Sequence, residues 1–519
     1  MWFKSQETEQ EKFTRLSQAI RRDGNIMSVA FLLQRAAQQF PHNTALIHHQ
    51  TTVSYLQLYN AAVALSKKLV SLGVKPRDRV IMMFENTPEF YVGYYAVLQI
   101  GAVIAPLNTF LKEGEVAHIV QDAQPVLIIV SSELRKSFST ITQTPPIITE
   151  QDMELNSVSK DTLTAWDIVG LEPDEMIALL YTSGTTGFPK GVMLSSKNIM
   201  TNVIQGIARF ELNHNDRMFA ILPLFHSFPQ NCYMWVALFV SATVILVPKI
   251  ERRYVLEGLQ HKPTIFVGVP ALYGFLCLLK TAPLDSIRCF VSGSDALPDR
   301  IRAAFGLIYR RNICNGYGLT ESSPMISGDI EDIALPTSCV GRPLMGITAT
   351  IRDEQGTILP QGQVGQLWVK GDNIMLGYYK SAEMTDQVLK DGWLLTGDLA
   401  YLDPQGRIVI SGRSKDLIIN KGINIYPQEI ENCIALHPNV IRVAVIGQEE
   451  EQVGEVPVAF VQLREQQEGI EKDLRVLCQK NLASYKVPRE FFCTTSNLPL
   501  TATGKVDKKV LRAQIAKKQ

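Results

Sequence analysis

Tyr181-Thr-Ser-Gly-Thr-Thr-Gly-Phe-Pro-Lys-Gly191 follows an apolar run, Ile177-Ala-Leu-Leu180, and precedes a helix signal near Ser195. Gly184 and Gly187 let successive backbone N–H groups turn towards one point, Thr182, Ser183, Thr185 and Thr186 add hydroxyl donors, and Lys190 supplies a positive charge. Such a concavity suits a phosphate. The loop is not a Walker A sequence, because G-x-x-x-x-G-K-[ST] does not fit its spacing. A Gly/Ser/Thr-rich surface loop is the bland alternative. The preceding strand, the closing lysine and the lack of any acid inside the loop weigh against it.

The residues on either side alternate between strand and helix. From Ser28 to Val130, helical stretches at Ser28 to Phe40, Tyr55 to Leu72, Thr87 to Ile100 and Glu113 to Asp122 separate apolar runs at Arg79 to Phe84, Ala102 to Ala105 and Pro125 to Val130. Alternation of this kind predicts a largely parallel sheet covered by helices. Ser131 to Glu175, rich in Ser, Thr and Pro, reads as a long surface connection. Strand candidates resume at Ile177 to Tyr181, Met218 to Leu222, Thr243 to Val247, Thr264 to Val267 and Ile287 to Val291, predicting a second sheet. After about Thr337 the turn signals Asp353-Glu-Gln-Gly356 and Asp403-Pro-Gln-Gly406 separate alternating apolar runs, predicting a β-rich subdomain. From Lys415 onward, strands at Ile441 to Ile446 and Val456 to Val461 and helices near Pro427 to Leu436 and Glu471 to Leu482 predict a small α+β domain.

At 519 residues the chain exceeds one ordinary core, and its 46% hydrophobic and 20% charged composition is that of a folded globular protein. Lys+Arg and Asp+Glu both number 51, so no global charge favours nucleic acid. The eight cysteines are scattered, without a C-x-x-C pair or zinc-ligand spacing, and are expected to be reduced thiols in a cytoplasmic protein. Charges in Met1 to Gln18 stand where a secretory signal needs an apolar stretch. The longest uncharged apolar run, Cys232 to Val247, is shorter than the roughly 20 residues of a spanning helix and turns β-branched, as a buried helix running into a strand would. No transmembrane segment is expected, and peripheral membrane contact stays open.

Further motifs follow the loop in a fixed order. They are Leu222-Pro-Leu-Phe-His-Ser-Phe228, Ser292-Gly-Ser-Asp-Ala-Leu-Pro298, Asn315-Gly-Tyr-Gly-Leu-Thr-Glu-Ser322, Thr396-Gly-Asp398, Gly412-Arg-Ser-Lys-Asp416, Lys421-Gly-Ile-Asn424 and Pro499-Leu-Thr-Ala-Thr-Gly-Lys505. Together with the loop they resemble the acyl-adenylate-forming (AMP-binding) family, which includes acyl-CoA synthetases, luciferases and peptide-synthetase adenylation domains. The resemblance covers about Ser28 through Lys508, leaving a polar extension in front. It implies an α/β fold: an N-terminal domain over 1–412, with the β-rich part at about 337–412, a hinge at 413–415, and a small mobile domain over 416–519 that carries a catalytic lysine.

The resemblance also implies roles, each with a physical reading beside it. Thr182, Ser183, Gly184, Thr185, Thr186, Gly187 and Lys190 would hold phosphates, and Ser294, Asp295, Asn315, Gly316, Tyr317 and Gly318 would line the adenine side. Gly316 and Gly318 permit close backbone approach, so the Tyr317 ring could stack on a purine. Glu321, after Thr320, would bind Mg²⁺, which characteristically uses one or two carboxylates plus substrate oxygens; alone, Thr-Glu reads as a helix-opening cap. Asp398 would accept from the ribose hydroxyls with Arg413 bracing the sugar, although an Asp before a hairpin is commonly a turn residue. Lys415 is expected to be the pivot, otherwise a solvated charge. Lys505 would stabilise charge developing at phosphorus, and Lys421 and Gly422 would face coenzyme A. His226, Phe228, Val267 and Gly268 would border the acyl pocket, or read as plain core.

The resulting expectation is an AMP-forming acyl-CoA synthetase, most like bacterial medium- or long-chain fatty acid ligases. It would use ATP, Mg²⁺ and coenzyme A on a small carboxylic acid. Transfer to a carrier protein and a catalytically silent binding member stay open as alternatives. Ser183, His226 and Asp398 would suit a serine hydrolase individually, but no G-x-S-x-G elbow is present.

Overall fold

The computed structural model describes residues 7–22, 24–141, 144–153, 155, 158–182, 189–330, 338–420, 423–450, 454–500 and 506–516. Two sheets carry the large N-terminal part. The first has seven strands in the order Gly377–Tyr378, Lys190–Ser195, Met176–Thr182, Val103–Pro106, Arg79–Met83, Leu127–Val130 and Ile147–Ile148. The second has eight: Met325–Gly328, Cys314–Gly318, Cys289–Ser292, Ile265–Gly268, Arg217–Ala220, Thr243–Leu246, Thr44–His48 and Thr51–Ser54. From Met176–Thr182 to Ile147–Ile148 in the first sheet, and from Cys314–Gly318 to Thr44–His48 in the second, neighbouring strands run parallel; Lys190–Ser195 with Gly377–Tyr378, Met325–Gly328 and Thr51–Ser54 add antiparallel pairs beyond them. Helices cover both faces of the first sheet, which is why its strands read as continuous apolar runs. Val80 and Met82 enter the large core, and Ile81 and Met83 enter a second, smaller one.

The alternation predicts this class, but the chain distributes itself differently between the sheets. Met176–Thr182 and Lys190–Ser195 join the first sheet rather than opening the second, and the hairpin Thr44–His48/Thr51–Ser54 joins the second rather than the first. A strand buried on both faces carries no pattern that names its partner, so pairing is not readable from the runs themselves. The helix expected near Ser195 begins at Ser196, and a strand that was not expected, Lys190–Ser195, stands between it and the glycine loop and pairs antiparallel with Met176–Thr182. Ser195 does cap that helix, its Oγ accepting from Asn198 N at 3.2 Å while Asn198 Oδ1 accepts from Ser195 N at 3.0 Å.

The β-rich part pairs Thr348–Arg352, Gly365–Lys370, Trp393–Leu402 and Leu389–Lys390, with Ile408–Arg413 on Trp393–Leu402. Both predicted turns use one device. Asp353 Oδ1 accepts from Gln355 N at 3.0 Å and Thr357 N at 2.8 Å, and Asp403 Oδ1 accepts from Gln405 N and Arg407 N, both at 2.9 Å. The small C-terminal part is an α+β sheet of Ile423–Ile425, Ile418–Asn420, Gly454–Leu463, Val440–Glu450 and Glu490–Thr494. Its two faces fill separate cores: Val445, Ala459 and Val461 pack under helices Pro427–Ile434 and Ile470–Asn481, while Ala444, Ile446 and Val458 pack under helix Lys508–Ala516. The Arg300 guanidinium, on the helix Asp299–Tyr309 of the large part, donates to the carbonyls of Val440 and Ile441, the latter at 2.7 Å.

The polar N-terminal extension is docked. Helix Glu9–Ala19 buries Leu16, and Glu9 and Lys12 pair with Arg209 and Glu211 around the end of helix Ser196–Phe210. The connection expected at Ser131 to Glu175 is pinned by the buried Asn60, whose Nδ2 donates to the carbonyls of Ser159 and Thr162 and whose Oδ1 accepts from Thr164 N, each at 2.9 Å. Cys232 to Val247 is a buried helix running into a strand, and among the described residues no helix is long and apolar enough to cross a membrane. The eight cysteines are free thiols.

Candidate active site

Sheet pairing gathers motifs that lie far apart in the sequence. In the second sheet Gly268 and Ser292 stand side by side at the carboxyl ends of their parallel strands, and Ser292 stands beside Asn315, from which the next strand runs on past that edge to Gly318. Ligands of open α/β sheets bind at that edge. Gly293 N donates to the Gly268 carbonyl at 3.1 Å, and a Cβ on Gly293 would lie 3.0 Å from the Phe228 ring, a tight contact that places this backbone directly against the ring. Ser227 Oγ donates to Thr320 Oγ1 at 3.2 Å, tying the aromatic motif to the segment that carries Glu321. His226 is half-buried beside the Phe225 ring, 4.4 Å between centroids. Val267 is buried, and its carbonyl accepts from the Tyr233 hydroxyl at 2.8 Å, which makes it as much core as pocket wall. Ser294 is exposed with φ of 68°, and the exposed Asp295 accepts from Ala296 N at 3.0 Å.

At the first sheet, Thr182 and Lys190 are register partners that close the loop. Ser183, Gly184, Thr185, Thr186 and Gly187 lie outside the described residues. The loop's base is fixed by the Tyr181 hydroxyl donating to Asp122 Oδ2 at 2.6 Å; burial, with that carboxylate, pushes the phenol well above its ordinary pKa. The Lys190 Nζ stands 4.3 Å from the centroid of the Tyr378 ring. Tyr378 hydroxyl donates to Glu321 Oε1 at 2.8 Å. Burial first, then the Glu321 charge, holds this phenol protonated far above the usual range. Lys190 and Glu321 are thus joined through a residue that the motifs did not single out. Gly377-Tyr378 pairs with the Lys190–Ser195 strand, a non-local contact with no signature along the chain.

The strand Cys314–Gly318 leads into a turn at Thr320–Ser322 that carries Glu321. The two glycines of this strand differ in how closely the protein itself packs on them. Gly318 is required, because a Cβ would lie 1.9 Å from the Pro324 carbonyl oxygen. Gly316 is not: it pairs with Gly328 across the antiparallel edge, and a Cβ there would meet the Ser327 carbonyl oxygen at 3.6 Å and a Val291 methyl at 3.7 Å, both ordinary contacts. Protein packing therefore admits a Cβ at Gly316 without a clash. The Tyr317 ring, expected to face a purine, belongs to a side chain whose hydroxyl is engaged as well, donating to Asp398 Oδ2. Burial and the Asp398 charge push the Tyr317 phenol well up. Asp398 and Arg413 are register partners in the hairpin, with Arg413 Nε 3.3 Å from Asp398 Oδ1, and Asp398 N donates to Thr396 Oγ1 at 3.1 Å. The Asp398 side chain is buried while Arg413 is exposed. Asn315 Nδ2 donates to the Cys339 carbonyl at 3.2 Å.

Lys415 is exposed in the turn Ser414–Asp416, its pKa pushed down by partial burial of the ammonium and then by the Arg413 charge. Lys421, Gly422 and Lys505 lie outside the described residues. Among the described residues no group of three or more His, Cys, Asp or Glu could hold a metal ion. A single carboxylate such as Glu321 fits a cation that arrives on phosphate oxygens and keeps water in its shell.

The sequence matches the AMP-binding enzyme family model over residues 33–379 and the AMP-binding enzyme C-terminal domain model over 429–505. A long-chain-fatty-acid–CoA ligase of Bacillus subtilis (strain 168) is 30% identical, the match covering 92% of each chain. A feruloyl-CoA synthase of Amycolatopsis sp. is 32% identical over 92% of this chain and 97% of its own. ATP-bound MatB from Rhodopseudomonas palustris superposes with a TM-score of 0.85 at 30% identity, covering 93% of this chain and 98% of that one.

Proposed function

The chain belongs to the AMP-binding enzyme family and is an acid–CoA ligase within it, and from that premise we propose that it activates a medium- or long-chain fatty acid at the site described above. A carboxylate oxygen of the acid attacks the α-phosphorus of Mg·ATP, the bond to the β-phosphate oxygen breaks, and pyrophosphate leaves. The thiol of coenzyme A then attacks the acyl carbon, and AMP leaves with the bridging oxygen.

The observation that carries this reading is the Asn315 to Glu321 segment. At one end Tyr317 meets the Asp398–Arg413 pair, and at the other Glu321 meets Tyr378 and, through its ring, Lys190. A ribose bound by Asp398 and a phosphate chain bound by Thr182, Lys190 and the loop between them are thereby held at a set separation. Glu321 takes the cation that accompanies ATP, and Lys505 stabilises charge at the α-phosphorus. Ser294, Asp295, Asn315, Gly316, Tyr317 and Gly318 form the adenine side. Residues 1–412 and 416–519 act as two bodies about Lys415, with Lys421 and Gly422 presented to coenzyme A in the second step. The cytoplasm, where free thiols persist, is the compartment.

The apolar surroundings of His226, Phe228, Val267 and Gly268 suit an alkyl chain. An aryl acid is the second reading, favoured by the 32% identity to a feruloyl-CoA synthase. Thioester formation with acetate, C6 to C18 fatty acids, benzoate and ferulate decides between them. Highest kcat/KM between C8 and C18 is the expected result, and a maximum at ferulate or benzoate overturns the fatty-acid assignment.

A further inference from the structure

Tyr378 is 6% exposed and sits where three separate segments meet. Its position is set from both sides. Backbone pairing places it opposite Val192, two residues beyond Lys190, and its own N donates to Thr385 Oγ1 at 2.9 Å. Gly377, at φ of 140°, lies so close to Thr385 that a Cβ would stand 2.9 Å from it. Glu321 is fixed independently, since its carbonyl accepts from Met375 N at 2.9 Å, and Asn373 Nδ2 donates to the next carbonyl, that of Ser322, at 2.8 Å. The stretch from Asn373 to Tyr379 therefore clasps the Glu321 turn against the strand that begins at Lys190.

From this arrangement we infer that Tyr378 is a positioning residue for Mg·ATP: its hydroxyl orients the Glu321 carboxylate towards the cation while its ring face holds the Lys190 ammonium at the phosphate chain. The inference rests on the reading of the phosphate end given above. Two physical effects cooperate. A hydrogen bond from the phenol to Oε1 fixes the carboxylate's rotation, directing its remaining lone pairs to one side. The ring's negative face attracts the lysine and restricts its otherwise mobile stem without neutralising it, which a carboxylate partner would do. Tyr378 thus couples cation site and phosphate site through one side chain whose two ends have different chemistry.

Tyr378→Phe keeps the ring and removes only the hydroxyl, whereas Tyr378→Leu removes both. In pyrophosphate release at saturating ATP and acid, Tyr378→Phe is expected to raise the Mg²⁺ concentration for half-maximal rate by roughly tenfold, the size of one charge-assisted hydrogen bond. KM for the acid stays unchanged, as does thioester formation from supplied acyl adenylate, which no longer needs the cation at Glu321. Tyr378→Leu is expected to raise KM for ATP as well, at saturating Mg²⁺. Added Mn²⁺ should recover part of the Tyr378→Phe loss, which a packing defect would not allow. If wild-type protein is active and Tyr378→Phe shows an unchanged Mg²⁺ requirement, or loses rate equally at every Mg²⁺ concentration and in both half-reactions, the inference falls alone. If wild-type protein releases no pyrophosphate with any acid, it falls together with the reading it rests on.

Discussion

Asp398 is buried, faces Arg413 across a hairpin and accepts from the Tyr317 hydroxyl. Asp398→Ala is expected to raise KM for ATP by about 10- to 100-fold, since each hydrogen bond lost to a charged acceptor costs about 1.5–3 kcal/mol and 1.4 kcal/mol is tenfold. KM for the acid should change little. Steady-state kinetics with each substrate varied checks this, and an unchanged ATP KM in a folded variant would return Asp398 to a structural role. At this scale the sequence is informative wherever chemistry and spacing coincide: Lys190 closing a glycine loop, Glu321 after Gly-Tyr-Gly, Asp398 after Thr-Gly. It is silent on Tyr378, because an aromatic residue beside glycine carries no chemical mark until a strand pairing brings it to Lys190 and Glu321. It under-reads Tyr317, whose ring is anticipated and whose hydroxyl is not, and it treats Gly316 and Gly318 alike although only the second is pressed against backbone.

Among the elements, the helix Asp299–Tyr309 follows directly on the Ser292 to Pro298 loop and reaches the small C-terminal part through Arg300. Two carbonyls of the strand Val440–Glu450 accept from one guanidinium, so the contact is directional and lost with one side chain. Arg300→Ala is expected to free the connection at Arg413 to Leu417, with trypsin cleaving after Arg413 or Lys415 about tenfold faster. The large part's thermal midpoint should stay within a degree or two. Equal cleavage rates for variant and wild type would mean that Arg300 does not hold the two parts together. Helix and strand positions are largely legible, from amphipathic helices and apolar runs bounded by turn signals. Strand partners are not. The Lys190–Ser195 strand, hidden between the glycine loop and a helix cap, pairs locally with Met176–Thr182, whereas the sheet that each hairpin joins is decided by long-range pairing with Val103–Pro106 and Thr243–Leu246.

For the whole molecule, the class is readable because alternation, β-rich texture and a terminal α+β pattern follow one another along the chain. The route by which distant motifs converge is not, since it depends on the pairing that sets Gly268 beside Ser292 and Ser292 beside Asn315. In the proposed function that convergence lets one site serve two successive reactions joined by an acyl adenylate. The claim is tested most directly by turning over octanoate labelled with ¹⁸O in both carboxylate oxygens, with Mg·ATP and coenzyme A, and weighing the products by mass spectrometry. One ¹⁸O should appear in each AMP and none in pyrophosphate, because the attacking carboxylate oxygen stays on the α-phosphorus when the thiol takes the acyl group. Unlabelled AMP, or ADP with labelled inorganic phosphate, would contradict the account.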